Sequence, residues 1–412
     1  MTPRQVADSF SGRVGVYVHV PFCAQICPFC PYNKVLADDG LARRYFAALG
    51  TEVDDLVAAC DDAGRVPFTS LYIGGGTPTL YPDALAALVA RIPVTGERAI
   101  EVLPTHGTRA GLDRLAALGF SAVSVGAQSF HDDVLRRLGR PHDAAAALAA
   151  VENAVGRFTV DVDLIVDVAW DDDPATAGAF LTDLRTCLAL GVDQVSTYPL
   201  MRFGYTPFGA ARHDRDREHA VLRAATRIAS EAGYERRSVW TFNRVGATSY
   251  TSITRPRFVG MGAGSASFAG RDFWVNHFGL RQYCESVESG RLPIARWLHL
   301  GRAGALYDSF WQAYAGGVDL RETRGTFGAV PAGVLRAALA LLALGRWLSP
   351  VEGGYRLTPR GFDLYHDLER WVTYELIEPL WAEMLVEHPW AEPAQARRSH
   401  VWRVARAVFE RS

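Results

Sequence analysis

Apolar positions along this chain follow two alternating periods for its first 230 residues. Short runs rich in Val, Ile and Leu read as buried strands at 68–73 (FTSLYI), 98–103 (RAIEVL), 122–125, 158–166 (FTVDVDLIV) and 193–200, after a first apolar strand beginning at Val16. Between them lie stretches with apolar residues at helical spacing. Residues 38–64 place Tyr45, Leu49, Val53, Leu56 and Val57 on one face, and 108–118, 132–155 (broken near Pro141), 175–190 and 216–232 behave likewise. Strands alternating with helices indicate right-handed βαβ units on a parallel sheet, so the fold class is α/β. About six such units precede residue 232, too few for an eight-stranded barrel.

The last third reads as a different module. Residues 304–314 and 334–344 are helical, the second ended by Gly345. Trp347-Leu348 and 355–357 flank a Glu352-Gly353-Gly354 hairpin signal, and Thr358-Pro359 opens another helix. Helix, hairpin and helix form a winged-helix-like, mostly helical unit. It is read as a substrate cover over 271–412, beside an N-terminal extension (1–12) and a core (13–270). Residues 369–387 are amphipathic through Trp371, Tyr374, Ile377, Leu380 and Met384, and the Arg-rich 397–411 reads as a solvated helix face.

Composition narrows the function. The 412 residues are 49% hydrophobic and 21% charged, as in an ordinary globular protein, and the net charge of −2 offers no footprint for nucleic acid. No apolar run reaches the length of a membrane span, and MTPRQVADSF lacks the apolar core of a signal peptide, so the expectation is a cytoplasmic monomer. Six cysteines in so long a chain are not a disulfide framework. Cys60 and Cys187 fall in helical patterns and read as core; Cys284 also lacks ligand spacing.

The remaining three, Cys23, Cys27 and Cys30, stand within eight residues after the first strand, in VYVHVPFCAQICPFCPYNKV. Clustered soft thiolates select an iron–sulfur cluster, zinc or Cu(I). The CxxxCxxC spacing differs from ferredoxin runs and from paired CxxC ribbons. Three thiolates on a four-iron cubane leave one iron open, which is where chemistry occurs. A Cys3His zinc site using His19, or no metal at all, are the alternatives.

Tyr17, His19, Pro21, Phe22, Cys23, Cys27, Phe29 and Cys30 together resemble the signature of radical S-adenosylmethionine (SAM) enzymes. The stretch is most similar to the branch of the oxygen-independent coproporphyrinogen III oxidases. The resemblance implies a partial (β/α)6 barrel and a [4Fe–4S] cluster on Cys23, Cys27 and Cys30 that cleaves SAM to a 5′-deoxyadenosyl radical. Further motifs follow in order: Gly74–Thr79 (GGGTPT), Glu101 in EVLP, Gln128 in SVGAQSF, Arg140 in LRRLGRPHD and Asp163 in DLI. By resemblance Gly75, Gly76 and Thr77 belong to the SAM amino-group turn. Glu101 and Arg140 would hold the amino-acid end, Gln128 and Asp163 the ribose and methionine ends, and Tyr17 and Phe29 would border the sulfonium and adenine. Tyr17, Glu101 and Arg140 are therefore the expected catalytic residues. Relatives that bind a second SAM place it beside regions corresponding to Pro199, Gly264 and Ala266.

Two departures direct the functional reading. The family continues DLI-x-G-L-P-G, whereas this chain has Asp163–Trp170 (DLIVDVAW) and then Asp171–Asp173, which makes Trp170 a candidate wall residue. The oxidase resembles CxxxCxxCxC, whereas Tyr32 occupies the further cysteine's position. An aromatic residue there is typical of the methyltransferase-like and haem-carrier-like members. The expectation is thus a radical SAM methyltransferase (class C) that uses two SAM molecules to methylate or cyclopropanate an sp2 carbon of an unsaturated natural product. Porphyrinogen decarboxylation and non-catalytic haem carriage are the alternatives. Phe203, Tyr205, Phe208, Trp240 and Phe242 suit a flat, unsaturated or aromatic substrate. An electron donor such as flavodoxin or ferredoxin is the expected partner, with neither nucleic acid nor membrane. His131, His142, His213 and His277 stand isolated and show no haem-ligand signature.

Overall fold

A computed structural model describes residues 2–10, 13–64, 68–166, 174–209, 214–247 and 257–385. Trp170, the acidic run 171–173, His213, the segment 250–255 and the Arg-rich 397–411 lie outside the described residues.

The first unit is β1 (Gly15–Val20) and α1 (Asp39–Asp62). Then come β2 (Ser70–Gly75), α2 (Pro82–Val89), β3 (Arg98–Val102) and α3 (Arg109–Ala117). They are followed by β4 (Ala122–Gln128), α4 (Asp132–Arg137), α5 (Ala144–Ala154), β5 (Thr159–Val166) and α6 (Pro174–Leu190). The run closes with β6 (Gln194–Pro199) and α7 (Arg215–Glu231). The break expected near Pro141 separates α4 from α5. Strands β1 to β6 pair in chain order and all in parallel, in the register Val16 with Leu71, Leu71 with Arg98, Ile100 with Val123 and Val162 with Val195. Their near-continuous burial, with Val16, Val18 and Val20 at 1% exposure or less, is what a sheet covered on both faces requires.

The sheet does not close. Beyond β6 lie β7 (Tyr234–Arg236) and β8 (Thr241–Arg244), with β8 antiparallel to β6. On the other side, β9 (Phe258–Met261) runs parallel to β1, pairing Gly15 with Phe258 and Val18 with Met261. Strands β10 (Ala266–Phe268), β11 (Asp272–Asn276) and β12 (Ile294–His299) extend that edge antiparallel to a total of twelve strands. The seventh parallel strand, β9, arises where the sequence shows a glycine-rich stretch. Four residues are too few to display a strand period, so pairing rather than pattern defines it. The α/β partial barrel expected from the sequence is present, with a helical C-terminal region.

After α8 (Leu280–Glu288), that region holds α9 (Gly304–Tyr314), α10 (Leu320–Phe327) and α11 (Ala329–Leu344). A small sheet of β13 (Gly317–Asp319), β14 (Leu348–Val351) and β15 (Gly354–Leu357) has the expected hairpin as two of its strands. Helix α12 (Pro359–Val372) passes through a π-helical turn, Thr373–Ile377, into α13 (Glu378–Met384). A buried cluster fastens α12 to the barrel. Trp240 Nε1 donates to His366 Nδ1 at 3.0 Å, so His366 carries its proton on Nε2, which donates to Glu218 Oε2 at 3.2 Å. Arg370 pairs with the same carboxylate.

Candidate active site

The cysteine loop leaves the C-terminal end of β1. Its two ends are drawn together by a short parallel pairing of Phe22 with Val35 and Cys23 with Leu36, with Val35 N donating to Pro21 O at 2.8 Å and Ala37 N to Cys23 O at 2.9 Å. Cys23, Cys27 and Cys30 are all free thiols in this enclosed turn. Burial pushes Cys23 up to about 12 and raises Cys30 as well, so a metal must displace protons to bind here.

His19 is committed elsewhere. Its Nε2 lies 2.8 Å from the carbonyl of Asn33 and its Nδ1 2.8 Å from the Tyr17 hydroxyl. Both nitrogens are occupied, which removes the ligand that a Cys3His zinc site needs. Thiolates on one zinc ion stand within about 4 Å of each other. Among the described residues no group of three His, Cys, Asp or Glu side chains converges to hold a single ion. A three-cysteine loop with no fourth protein ligand fits a cluster better than an ion.

The glycine turn after β2 is shaped by contact with this loop. A Cβ on Gly76 would lie 2.6 Å from Phe22 O and 2.9 Å from Cys23 Sγ, so only glycine allows the two segments to meet. Thr77 N donates to Phe22 O at 2.8 Å, and the Thr77 hydroxyl lowers the pKa of Cys23 against the burial effect. Gly75 N donates to Glu101 Oε2 at 3.0 Å, and the Tyr72 hydroxyl to Oε1 at 3.0 Å. Burial, and then the charge of Asp163, raise Glu101 to about 7.

Gln128, Arg140 and Asp163 gather on the same end of the sheet. Gln128 adopts φ 68°, in the left-handed region, directly after a register shift in β4. A non-glycine residue held there carries backbone strain. Arg140 donates from Nη2 to Gly126 O at 2.8 Å and from Nη1 to Cys27 Sγ at 3.4 Å, while its buried Nε has no partner. Asp163 accepts from Ser124 Oγ at 2.8 Å. Burial raises it to about 6, although the Arg140 charge opposes this. Phe29 packs with Val134, Leu138, Ile165 and Leu200. Pro199 ends β6, in register with Val166.

The loop's other wall is the turn after β9. Gly264 packs on Asn33, whose Nδ2 donates to Ala263 O at 3.2 Å and Phe278 O at 2.9 Å. A buried carboxylate fixes this turn. Glu52 accepts from Gly262 N and Asn276 Nδ2 at 2.8 Å each, and from the Tyr283 hydroxyl at 2.5 Å. Tyr45 bridges turn and strand by accepting from Ala263 N at 3.0 Å and donating to His19 O at 2.7 Å. Ala266 lies further on, in β10 opposite Val275.

The C-terminal module supplies a roof. Arg202 N donates to the Tyr374 hydroxyl at 3.0 Å and Gly204 N to Glu378 Oε1 at 2.6 Å, latching the segment after β6 to the π-turn and α13. Trp381 touches Tyr32, Phe203 and Phe278, with ring centres 5.8, 6.1 and 6.4 Å away. Phe203 stacks on Tyr205 at 5.3 Å, and the Tyr205 hydroxyl donates to Pro31 O. Tyr32 is 50% exposed. The protein around it, then Cys30, Glu101, Asp163 and Glu369, raise its phenol. Trp240 and Phe242 are buried packing residues. His142 is buried against Ala127 O, and His131 sits beside Asp183.

The sequence pointed to the cysteines, Gly75, Gly76, Glu101, Arg140 and Asp163. It missed Glu52, Asn33, Tyr45 and Trp381. For Glu52 a signal existed: an acid between Leu49 and Val53 on the apolar stripe of α1.

A thiolate loop at the C-terminal end of a parallel barrel, walled by a glycine turn and inward-facing acids, defines a class. Residues 17–168 match the Radical SAM superfamily, and the chain carries a radical SAM domain, which implies a [4Fe–4S] cluster and SAM. Among its relatives is the mitochondrial radical S-adenosyl methionine domain-containing protein 1 of Bos taurus, 30% identical over 278 residues, 62% of this chain and 60% of that protein. The heme chaperone HemW of Bacillus subtilis is 26% identical over 67% of this chain and 76% of its own length. The oxygen-independent coproporphyrinogen III oxidase of Pseudomonas aeruginosa is 26% identical over 69% of this chain and 68% of its own. The coproporphyrinogen III oxidase (HemN) structure from Escherichia coli shares the fold, with a TM-score of 0.74 at 23% identity over 90% of this chain and 93% of that one. Its radical SAM domain thus has HemN- and HemW-like relatives, and the chain spans about three fifths of the length of the first of them.

Proposed function

We propose that this enzyme acts on a tetrapyrrole-class substrate by radical chemistry of the coproporphyrinogen oxidase type. The observation that carries the reading is the aromatic roof of Tyr32, Phe203, Tyr205 and Trp381 directly over the cysteine loop, in a chain whose relatives include such an oxidase and a haem chaperone. This reading departs from the natural-product methylation expected from the sequence, because the relatives favour the oxidase and chaperone alternatives.

When bound, the cluster and SAM supply a 5′-deoxyadenosyl radical by one-electron cleavage. The chain's own residues do the rest. Cys23, Cys27 and Cys30 would hold the cluster. Glu101 offers a carboxylate to an ammonium, and Arg140 a guanidinium to a carboxylate, a matched pair for an amino acid. The strained Gln128 and Asp163 would hold the ribose and methionine ends. Tyr17, its proton engaged by His19, offers an oxygen lone pair toward a sulfonium. The roof excludes water from a radical site.

Methyl or methylene transfer is a second reading. Tyr32 in place of a further cysteine favours it, as does the Gly262–Gly264 turn held beside the loop, where Gly264 would border a second SAM. One anaerobic experiment separates the readings: reconstituted enzyme, dithionite, SAM deuterated on its methyl group, and coproporphyrinogen III. Unlabelled 5′-deoxyadenosine with release of carbon dioxide supports the oxidase reading. Deuterated 5′-deoxyadenosine with S-adenosylhomocysteine supports methyl transfer and overturns it. Absence of SAM cleavage together with haem binding indicates a carrier.

A further inference from the structure

Of the 43 lysines and arginines in this chain, one is a lysine, Lys34. It is also among the most buried cations, 3% exposed, beneath the cysteine loop. Its Nζ donates to Cys30 O at 2.5 Å and to Tyr32 O at 3.2 Å. An ammonium has three donors. Two close the loop's last turn, and the third has no partner among the described residues.

A structural tie alone does not call for this residue type. Two backbone carbonyls can be capped by any neutral donor, and burying a full charge is costly unless something nearby uses it. Shape explains why the residue is not arginine. A planar guanidinium fork matches a carboxylate, whereas two carbonyls from residues 30 and 32 converge on a point, which suits a compact ammonium. The ammonium is held on the carbonyl of a cluster-loop cysteine itself, Cys30. Arg140 stands on the other side of the loop, at Cys27 Sγ.

Three thiolates on a [4Fe–4S]2+ core carry a net charge of −1, and one added electron makes it −2. That electron enters a closed, low-dielectric site, where a fixed cation is worth far more than in water. Net charge and hydrogen bonding around a cluster set its potential. We propose that Lys34 is the built-in counter-charge of the reduced cluster, raising its reduction potential so that a one-electron donor can load it. This rests on the cluster assignment and is independent of which substrate follows.

The test is an EPR-monitored redox titration of the reconstituted full-length protein, with dithionite and mediators and without SAM or substrate. Lys34→Gln keeps a donor and loses the charge. Its cluster should be at least tenfold harder to reduce, which is 59 mV for a one-electron couple. Lys34→Arg keeps the charge and should stay within about threefold of wild type. An unmoved potential in Lys34→Gln, or an equal displacement in Lys34→Arg, overturns the proposal and leaves Lys34 a structural tie. Should Lys34→Gln hold no cluster, the Arg variant decides alone: a wild-type potential supports the proposal and a displaced one overturns it. A wild-type protein that forms no [4Fe–4S] spectrum removes the cluster assignment itself, a different failure.

Discussion

The Tyr17 hydroxyl and His19 Nδ1 lie 2.8 Å apart, and the direction of that hydrogen bond is fixed by a third group. The Asn33 carbonyl on His19 Nε2 can only accept, so the imidazole proton is on Nε2, and Tyr17 donates to Nδ1. Burial lowers His19 to about 4. Its neutral form is therefore favoured by folding, a contribution complete above the ordinary value of 6.5 and lost as pH falls toward 4. Nitrogen NMR should show a single Nε2–H tautomer unchanged from pH 8 to pH 5. A ring titrating near 6.5 would contradict the arrangement.

Gly76→Ala should uncouple the glycine turn from the cysteine loop. The new Cβ would meet Phe22 O and Cys23 Sγ, both well inside contact distance. Overpacking of this kind costs about 1–3 kcal/mol. Thermal unfolding should show that loss, and iron–sulfur absorbance after reconstitution should fall. Gly246→Ala, strained by its own φ of +85° but with no atom within 4 Å of the new Cβ, is the control: it should lose stability and keep the cluster.

Glu52 gives a pH signature. Burial lifts it from the usual 4.5 to about 7 despite three hydrogen bonds to it. A folded-state value above the unfolded one means that its contribution is greatest below pH 4.5 and is lost as pH rises through 7. In urea unfolding, the stability difference between wild type and Glu52→Gln should shift by roughly 2–3 kcal/mol between pH 5 and pH 8, against wild type at the higher pH. A pH-independent difference would mean that Glu52 is ionised throughout.

Trp381→Ala should loosen the roof without unfolding the barrel. Trp381 joins α13 to Tyr32, Phe203 and Phe278. Hydrogen exchange at residues 202–205 should accelerate, while amides of β1 to β5 keep their protection. Uniform acceleration across both regions would show that the roof and barrel open as one unit.

The sequence made parts of this site plain for physical reasons. Thiolate spacing, a run of three glycines and acids within apolar strands are local patterns, and each maps onto one place in the fold. β9 was hidden because its four residues gain meaning only beside β1. Glu52, Asn33 and Tyr45 were hidden because they act across 200 residues of chain, with Asn33 reaching Ala263 and Phe278 and Glu52 reaching Gly262 and Tyr283. The Tyr32–Trp381 contact likewise joins the first tenth of the chain to its last.

The position of β9 also sets an order of assembly. The strand that carries the cysteine loop is bordered on one side by residues 70–75 and on the other by residues 258–261. Translation delivers the first neighbour early and the second only after nearly two thirds of the chain has been made. Until then one flank of β1, and the loop wall held by Gly262, Ala263 and Gly264, is missing. Contacts of such separation form late. The walled cysteine loop therefore requires residues 258–264 to have been made, and a ribosome stalled before residue 258 would leave Cys23, Cys27 and Cys30 without that wall.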